Sequence, residues 1–253
     1  MSQDLIQVQQ HERVALITLS KGITNAIDGS LVEQLSAALS AAELDPQVRG
    51  IVLSSSNDKF FSIGFDIPQL YNLPRDEFAS FYGAFNALCM QLYSLPKPSV
   101  AAISGHAIAG GCILALCCDR RIIAEGRKLM GLNEIKLGVP VPFVAECIVR
   151  QLVSGRHARE MLETGAFYPP EGLLQMGLVD GIEPGDKILE RAIETLRPYE
   201  NVPPEAYAAI KQSRVEPVQE LVSARLDERN RIFVERWYSP EARRLLQAAM
   251  EKF

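Results

Sequence analysis

Three segments of the sequence combine glycine or an isolated carboxylate with residues able to hold or move charge. In residues 99–119, SVAAISGHAIAGGCILALCCD, an apolar run rich in β-branched and small residues breaks at Gly105 and resumes as a helix-compatible run from about Gly111 to Cys118. That pattern predicts strand, tight turn, helix. Gly105, Gly110 and Gly111 let a ligand approach the main chain closely, and the first N–H groups of a helix have no intrahelical partner. Such a turn seats a negative charge, whether phosphate, carboxylate or oxyanion. A second segment, FFSIGFDI over residues 60–67, repeats the order of strand end, glycine and helix start. It places Asp66 in the first helical turn, where a carboxylate is electrostatically favoured. The third holds Glu134, one carboxylate in an apolar neighbourhood ahead of a loop over residues 135–142. On position alone such a glutamate reads as a capping or surface group, because glutamate is rarely buried. Either glycine turn alone is equally at home in any α/β protein.

The surrounding pattern supplies elements to position these groups. Residues 6–10 and 13–19 read as a strand hairpin broken at His11–Glu12. The loop KGITNAIDGS follows, with Asp28 or Ser30 placed to cap a helix through Leu31, Leu35, Leu39 and Leu44 that Asp45-Pro46 ends. Residues 50–54 fit a strand buried on both faces. Residues 76–95 form an amphipathic helix, with Phe78, Phe81, Tyr82, Phe85, Leu88, Cys89 and Leu92 recurring at three and four. Pro96-Lys97-Pro98 stops it, and residues 119–124 make a further short strand. From Val141 onward the pattern turns helical, with candidates at 143–152, 157–164, 171–177, 187–196, 204–215, 219–237 and 239–252. The expected organisation is therefore an α/β core over residues 1–200 and an all-helical region over 201–253. Arg225, Arg229, Arg231, Arg236, Arg243 and Arg244 alternate with acids in the last helices, a pattern that predicts a solvated or subunit-facing surface.

Composition narrows the function classes. The chain has 253 residues, 47% hydrophobic and 23% charged, enough for one large core or a core with an appendage. A net charge of −5 argues against broad electrostatic binding to nucleic acid. The longest apolar stretch is interrupted by Ser104, Gly105 and His106 and lies mid-chain, which predicts neither a membrane span nor a targeting segment. The five cysteines sit in apolar surroundings without a C-x-x-C pair, as small buried hydrophobes in a reducing compartment such as the cytoplasm. Three separated histidines lack metal-ligand spacing, so no metal is expected.

Taken together, FFSIGFDI, KPSVAAISGHAIAGGCILALCCD and LNEIKLGV resemble the signature blocks of the enoyl-CoA hydratase/isomerase (crotonase) superfamily. They match in order and in spacing, with 45 residues from Phe65 to Gly110 and 24 from Gly110 to Glu134. The resemblance implies an α/β crotonase (ClpP-like) spiral of ββα units, an all-helical C-terminal trimerisation region, and a homotrimer or a hexamer built as a dimer of trimers. It implies an acyl-CoA thioester substrate, with coenzyme A entering as part of the substrate and no resident cofactor. The thioester oxygen would be held by the N–H groups of Phe65 and Gly110, and Glu134 would move the proton. The acyl-CoA groove would run past Thr24, Ala26, Ser62, Ile63, Gly64, Asp66 and Ile67. Hydratases of the superfamily carry a second glutamate where this sequence has Ile113, so the pattern favours a 3-enoyl-CoA to 2-trans-enoyl-CoA isomerase of fatty acid β-oxidation. Ile113, Val139 and Val141 would keep the pocket poor in water. Ile67, Leu70, Tyr71, Phe78, Phe81, Tyr82 and Phe143 are the expected wall of the acyl pocket.

Within the superfamily the rivals are hydration, thioester hydrolysis, decarboxylation and carbon–carbon bond cleavage, all of which share the oxyanion hole. Outside it stand a non-catalytic or RNA-binding member, disfavoured by the acidic charge, and a serine peptidase. The last is disfavoured because Ser62 precedes the Gly64 turn and no histidine is placed to serve it.

Overall fold

The computed structural model describes residues 4–251. Strands β1 (Ile6–His11) and β2 (Val14–Leu19) form the expected antiparallel hairpin. Helix α1 (Gly29–Leu44) starts at Asp28, whose carboxylate accepts the Leu31 N–H, and it buries Leu31, Leu35 and Leu39. The chain then winds three times through one unit, placing a strand in a large sheet, the next strand in a small sheet, and a helical segment after them. The first turn is β3 (Gly50–Ser55), β4 (Phe60–Ser62), α2 (Ile67–Tyr71) and α3 (Arg75–Ser94). The second is β5 (Ser99–Ile103), β6 (His106–Ile108) and α4 (Gly110–Cys117). The third is β7 (Arg120–Ala124), β8 (Met130–Gly131), a 3₁₀ turn over Glu134–Leu137 and α5 (Phe143–Leu152). Helices α6 (Gly155–Thr164) and α7 (Pro170–Gln175), strand β9 (Gly181–Glu183), and helices α8 (Ile188–Leu196), α9 (Pro204–Trp237) and α10 (Pro240–Met250) complete the chain.

The large sheet has the order β1-β2-β3-β5-β7-β9 and is parallel from β2 onward. The small sheet, β4-β6-β8, is parallel throughout. All five residues of β5 are buried, as a strand covered by helices on both faces requires. The architecture is a spiral of ββα units followed by a helical region, as the family resemblance implies.

Several local expectations give way to tertiary constraints. Residues 105–111 are not a single turn, because β6 lies between the glycines and pairs with β4 and β8. Gly105 is there for space: a side-chain carbon on it would lie 2.5 Å from the Phe60 nitrogen. The very short strands β8 and β9 carry no periodic pattern of their own and exist only because a neighbouring strand pairs with them. Asp66 is the cap of α2, accepting the Gln69 N–H, rather than a member of its first turn. The helices expected at 204–215 and 219–237 are one helix, α9, running through Pro217. Pro217 and Ser213, whose carbonyl loses its donor, both face solvent, where water can serve that carbonyl. The final helix ends at Met250, and position 252 of its expected span lies outside the described residues.

Helix α9 is pinned to the sheet by a half-buried charge cluster. The Asp119 carboxylate accepts from the Ser99 N–H, the Lys211 ammonium at 2.7 Å, the Tyr207 hydroxyl and the Arg214 guanidinium. The Lys211 ammonium, 2% exposed in its side chain, also donates to the Lys97 carbonyl. Burial lowers the pKa of Lys211 and Asp119 opposes that shift. The same helix buries Val215, Val218, Val222, Phe233 and Trp237 in the main core, so the helical region and the spiral share one hydrophobic interior.

Three non-glycine residues among those described, Glu12, Asn25 and Ala109, have positive φ, and Ala109 is the one that bears on the site. Ala109, between β6 and α4, has φ 48° and ψ −118°, a conformation suited to glycine. It is held there because its N–H donates to the Gly131 carbonyl while its own carbonyl accepts the Ile113 N–H. These two features generate two expected outcomes. Ala109→Gly relieves strain worth roughly 1–3 kcal/mol against a smaller loss of unfolded-state restriction, so urea unfolding should show a net gain of about 1 kcal/mol. Lys211→Met strands part of the Asp119 charge and should cost on the order of 3 kcal/mol in the same measurement.

Candidate active site

The site lies where the carboxyl ends of the small-sheet strands meet the loop of residues 21–28. That loop is laced to the chain after β4. Ile63 N–H donates to the Thr24 carbonyl, Ile27 N–H to the Gly64 carbonyl and Asp66 N–H to the Ile27 carbonyl, at 2.8–2.9 Å. The fully buried Asn25 tightens the joint, accepting the Lys21 N–H and donating to the Phe61 carbonyl and the Ser55 hydroxyl. Lys21 adds an ionic clasp, 2.5 Å from Asp28 and 3.0 Å from Asp66.

This lacing decides where the Phe65 N–H points. In the parallel bridge between Ile27 and Phe65, the bonds run through Gly64 and Asp66, so the N–H of Phe65 itself faces the other way. It has no acceptor among the described residues. On that side stands the start of α4. A side-chain carbon on Gly64 would lie 3.0 Å from the Gly110 nitrogen, and one on Gly111 would lie 2.2 Å from the Ser62 carbonyl oxygen. The glycines therefore allow the two main chains to touch. Gly110 is the first residue of α4, so its N–H has no intrahelical partner. The strained Ala109 sets the orientation of the peptide that carries it.

Beside these donors is a cavity of about 260 Å³, against the roughly 10–15 Å³ that one water needs. Thr24, Ala26, Ile63, Asp66 and Ile67 form its half-exposed rim, with Phe65 and Gly110 behind them. Ile113, Glu134 and Val139 lie deeper and are 1%, 5% and 4% exposed. Glu134 opens the 3₁₀ turn, which is closed by Gly138 at φ 76° with its N–H on the Glu134 carbonyl. Its Oε2 is buried without a hydrogen-bond partner among the described residues. Desolvation pushes its pKa up to about 7, opposed only by a bond from its own backbone N–H. The surface or capping role that position alone would assign to Glu134 is thus overturned by its burial.

Of the residues singled out from sequence, Thr24, Ala26, Ile63, Phe65, Asp66, Ile67, Gly110 and Glu134 share this one cavity. Ser62 and Gly64 do not line it. The Ser62 hydroxyl is fully buried and donates to the Asn25 carbonyl while accepting the Gly64 N–H, so both residues shape the joint and face no groove. The expected acyl wall also changes. Of Ile67, Leu70, Tyr71, Phe78, Phe81, Tyr82 and Phe143, only Ile67 reaches the cavity, and Val141 does not line it either. Phe81 and Phe85 stand behind the Phe65 ring, at 5.0 and 4.9 Å between centroids. The missing wall comes from the C-terminal helices, through Phe233 and Trp237 of α9 and Ala249 and Met250 of α10. No short-range sequence signal links these residues to the glycine turns. Nor are the late arginines all solvated, because Arg243 stacks on Tyr71 at 3.3 Å and Arg229 lies over Phe143.

Among the described residues there is no group of histidine, cysteine and acidic side chains fit to hold a metal, and no helix long and apolar enough to cross a membrane. The five cysteines are free and buried.

Residues 9–253 match the family model described as enoyl-CoA hydratase/isomerase. The human mitochondrial enoyl-CoA delta isomerase 1 is 30% identical over 203 residues, covering 80% of this chain and 67% of that protein. A probable enoyl-CoA hydratase of Bacillus subtilis is 30% identical over 241 residues, covering 94% of this chain and 93% of its own length. The crystal structure of human mitochondrial delta3-delta2-enoyl-CoA isomerase superposes with a TM-score of 0.94 at 26% identity, covering 98% of each chain. With the spiral fold, the paired glycine turns and the buried glutamate already in place, these similarities establish that the chain belongs to the enoyl-CoA hydratase/isomerase family.

Proposed function

We propose that this protein is an enoyl-CoA isomerase that converts 3-enoyl-CoA to 2-trans-enoyl-CoA with Glu134 as the sole proton shuttle. The observation that carries this reading is the pairing of Glu134 with Ile113 in the buried half of the cavity. Hydration needs one group to activate water and another to handle the second proton. Here only one acid lies at depth. Asp66, the other acid of the lining, sits at the half-exposed rim, caps α2 and is clasped by Lys21. The similarity to a probable hydratase lends the hydratase reading some support, but Ile113 offers no second proton carrier.

In the proposed reaction the thioester oxygen accepts hydrogen bonds from the N–H groups of Phe65 and Gly110. The Glu134 carboxylate removes a proton from C2, and the electron pair of that C–H bond spreads into a dienolate whose charge collects on the oxygen. Each preorganised donor of this kind typically contributes ~10²–10³ in rate. Glu134, now a carboxylic acid, returns the proton to C4. The C3–C4 double bond moves to C2–C3, and the thioester carbonyl re-forms. The apolar lining supports this scheme twice over, by raising the basicity of the carboxylate and by keeping its proton from exchanging with water.

No resident cofactor is needed, since coenzyme A arrives on the substrate along the rim at Thr24, Ala26, Ile63, Asp66 and Ile67. We assign the hole and the base to residues 1–200. Residues 201–253 supply a wall of the site and, we propose, contacts in a homotrimer or hexamer, in keeping with a family that is typically oligomeric. The free buried cysteines suit a reducing compartment such as the cytoplasm, and the reaction suits fatty acid degradation.

The scheme makes expectations of two kinds about Glu134, the first for activity. Its ionised form is the active one, so kcat/KM for isomerisation should rise with pH through a single ionisation near pH 7 and level off above it. Glu134→Gln should lose ~10²–10⁴ in rate or more while still binding a saturated acyl-CoA by calorimetry; wild-type turnover in the folded variant overturns the assignment. The second concerns stability. A carboxyl whose folded pKa lies above its unfolded value favours the folded state fully below about pH 4.5, and that contribution is lost as pH rises toward 7. Removing the charge should therefore make Glu134→Gln more resistant to urea than wild type at pH 8, by on the order of 1–3 kcal/mol, with the gap closing at pH 5.

A further inference from the structure

The cavity has a graded depth. Its rim at Thr24, Ile63 and Asp66 is half-exposed, and the same cavity is lined by the proposed hole and base and by a buried aromatic wall made by Phe233 and Trp237. Trp237 is 1% exposed. Its ring stacks on Phe78 at 4.4 Å with planes 17° apart and meets the Phe65 ring edge at 6.5 Å. Phe78 is in turn stacked on Tyr82 and Phe233, and Tyr82 stacks on Phe233 at 4.0 Å. An acyl tail that reaches Trp237 therefore meets a packed aromatic layer, with no single side chain free to swing aside.

We infer that Trp237 is the specificity-determining residue that limits the length of acyl chain this site accepts. The inference rests on the acyl-CoA reading above and adds to it the substrate class, a 3-enoyl-CoA whose tail ends at the indole. The limit is supplied by α9, which the Asp119 cluster fastens to Ser99 at the start of β5. A chain that stops short of the ring leaves apolar surface unmatched, and a longer one must displace the stack. Each methylene group that finds room should improve binding about four-fold, and the first that does not should reverse the trend.

Two properties make Trp237 testable. It is the only tryptophan in the chain, so indole emission reports on this wall alone. Its Nε1–H is buried with no acceptor among the described residues, so replacing the ring by phenylalanine breaks no hydrogen bond and keeps an aromatic face for Phe78.

The experiment titrates the wild-type protein with coenzyme A and with saturated butyryl-, hexanoyl-, octanoyl-, decanoyl- and dodecanoyl-CoA, following tryptophan emission and, in parallel, heat of binding. The expected result is binding across the series, with an emission change absent for coenzyme A and butyryl-CoA and abrupt once the tail reaches the indole. In Trp237→Phe, kcat/KM across the matching 3-enoyl-CoA series should move its optimum one or two carbons longer. Binding without any length-dependent emission change overturns the assignment of Trp237, as does a folded Trp237→Phe with an unmoved optimum. Absence of binding for every thioester overturns instead the acyl-CoA reading on which it rests. The emission series needs no variant, so it decides the matter even if Trp237→Phe does not fold.

Discussion

The structure depends on a contact between two stretches of main chain. Where the chain leaves β4 it runs against the first residues of α4 so closely that Gly111 has no room for a methyl group beside the Ser62 carbonyl, and Gly64 none beside Gly110 and Ala109. Around this contact the small sheet closes, the loop of residues 21–28 is laced down, and two N–H groups are left without partners among the described residues. Any larger side chain at these glycines would push the strand end and the helix start apart. The two donors would then no longer address one atom. The strain at Ala109 belongs to the same joint, since the peptide after it carries one of those donors.

Beside this polar joint the chain places a carboxylate where carboxylates are costly. Among the described residues no cation offsets the burial of Glu134, and the one opposing influence is its own backbone N–H. The half-buried acid cluster at Asp119 is built on the opposite principle. Asp119 is surrounded by Lys211, Arg214, Tyr207 and Ser99 and fastens α9 to the sheet. The half-buried carboxylate is satisfied and structural. The other is left unsatisfied, which destabilises the fold yet keeps the group basic near neutral pH, the condition a proton shuttle requires.

The C-terminal helices link the two. Helix α9 spans from the Asp119 cluster to Trp237 in the cavity wall, and α10 continues from it to rest on α2 and on the 3₁₀ turn that carries Glu134. Gly138, which ends that turn, lies so close to α10 that a side-chain carbon on it would stand 3.1 Å from the Ala242 Cα. On the other flank Arg243 covers Tyr71 and donates to its carbonyl. The helical region is thus part of the site as well as an appendage to the spiral.

Much of this was legible in the sequence. Glycines that must adopt left-handed φ or accept a neighbouring backbone stand out in any α/β pattern, and the resemblance of FFSIGFDI, SGHAIAGG and LNEIKLG, in order and spacing, to the family's signature blocks brought Phe65, Gly110 and Glu134 into one reading. The amphipathic period of α3 and the apolar runs of β3 and β5 were equally visible, because burial on one face or two is written in local order. What local order could not decide is whatever depends on contacts between distant segments. The burial of Glu134 comes from packing around the 3₁₀ turn. The structural roles of Ser62 and Gly64 come from the loop of residues 21–28. The continuity of α9 through Pro217 comes from the core that its flanking turns share with the spiral. The choice of Trp237 and Phe233 over Phe78 and Tyr82 as the cavity wall follows from how α9 lies across α3. Side chains from both helices fill one aromatic stack, and only the tertiary arrangement determines which of them faces the empty space.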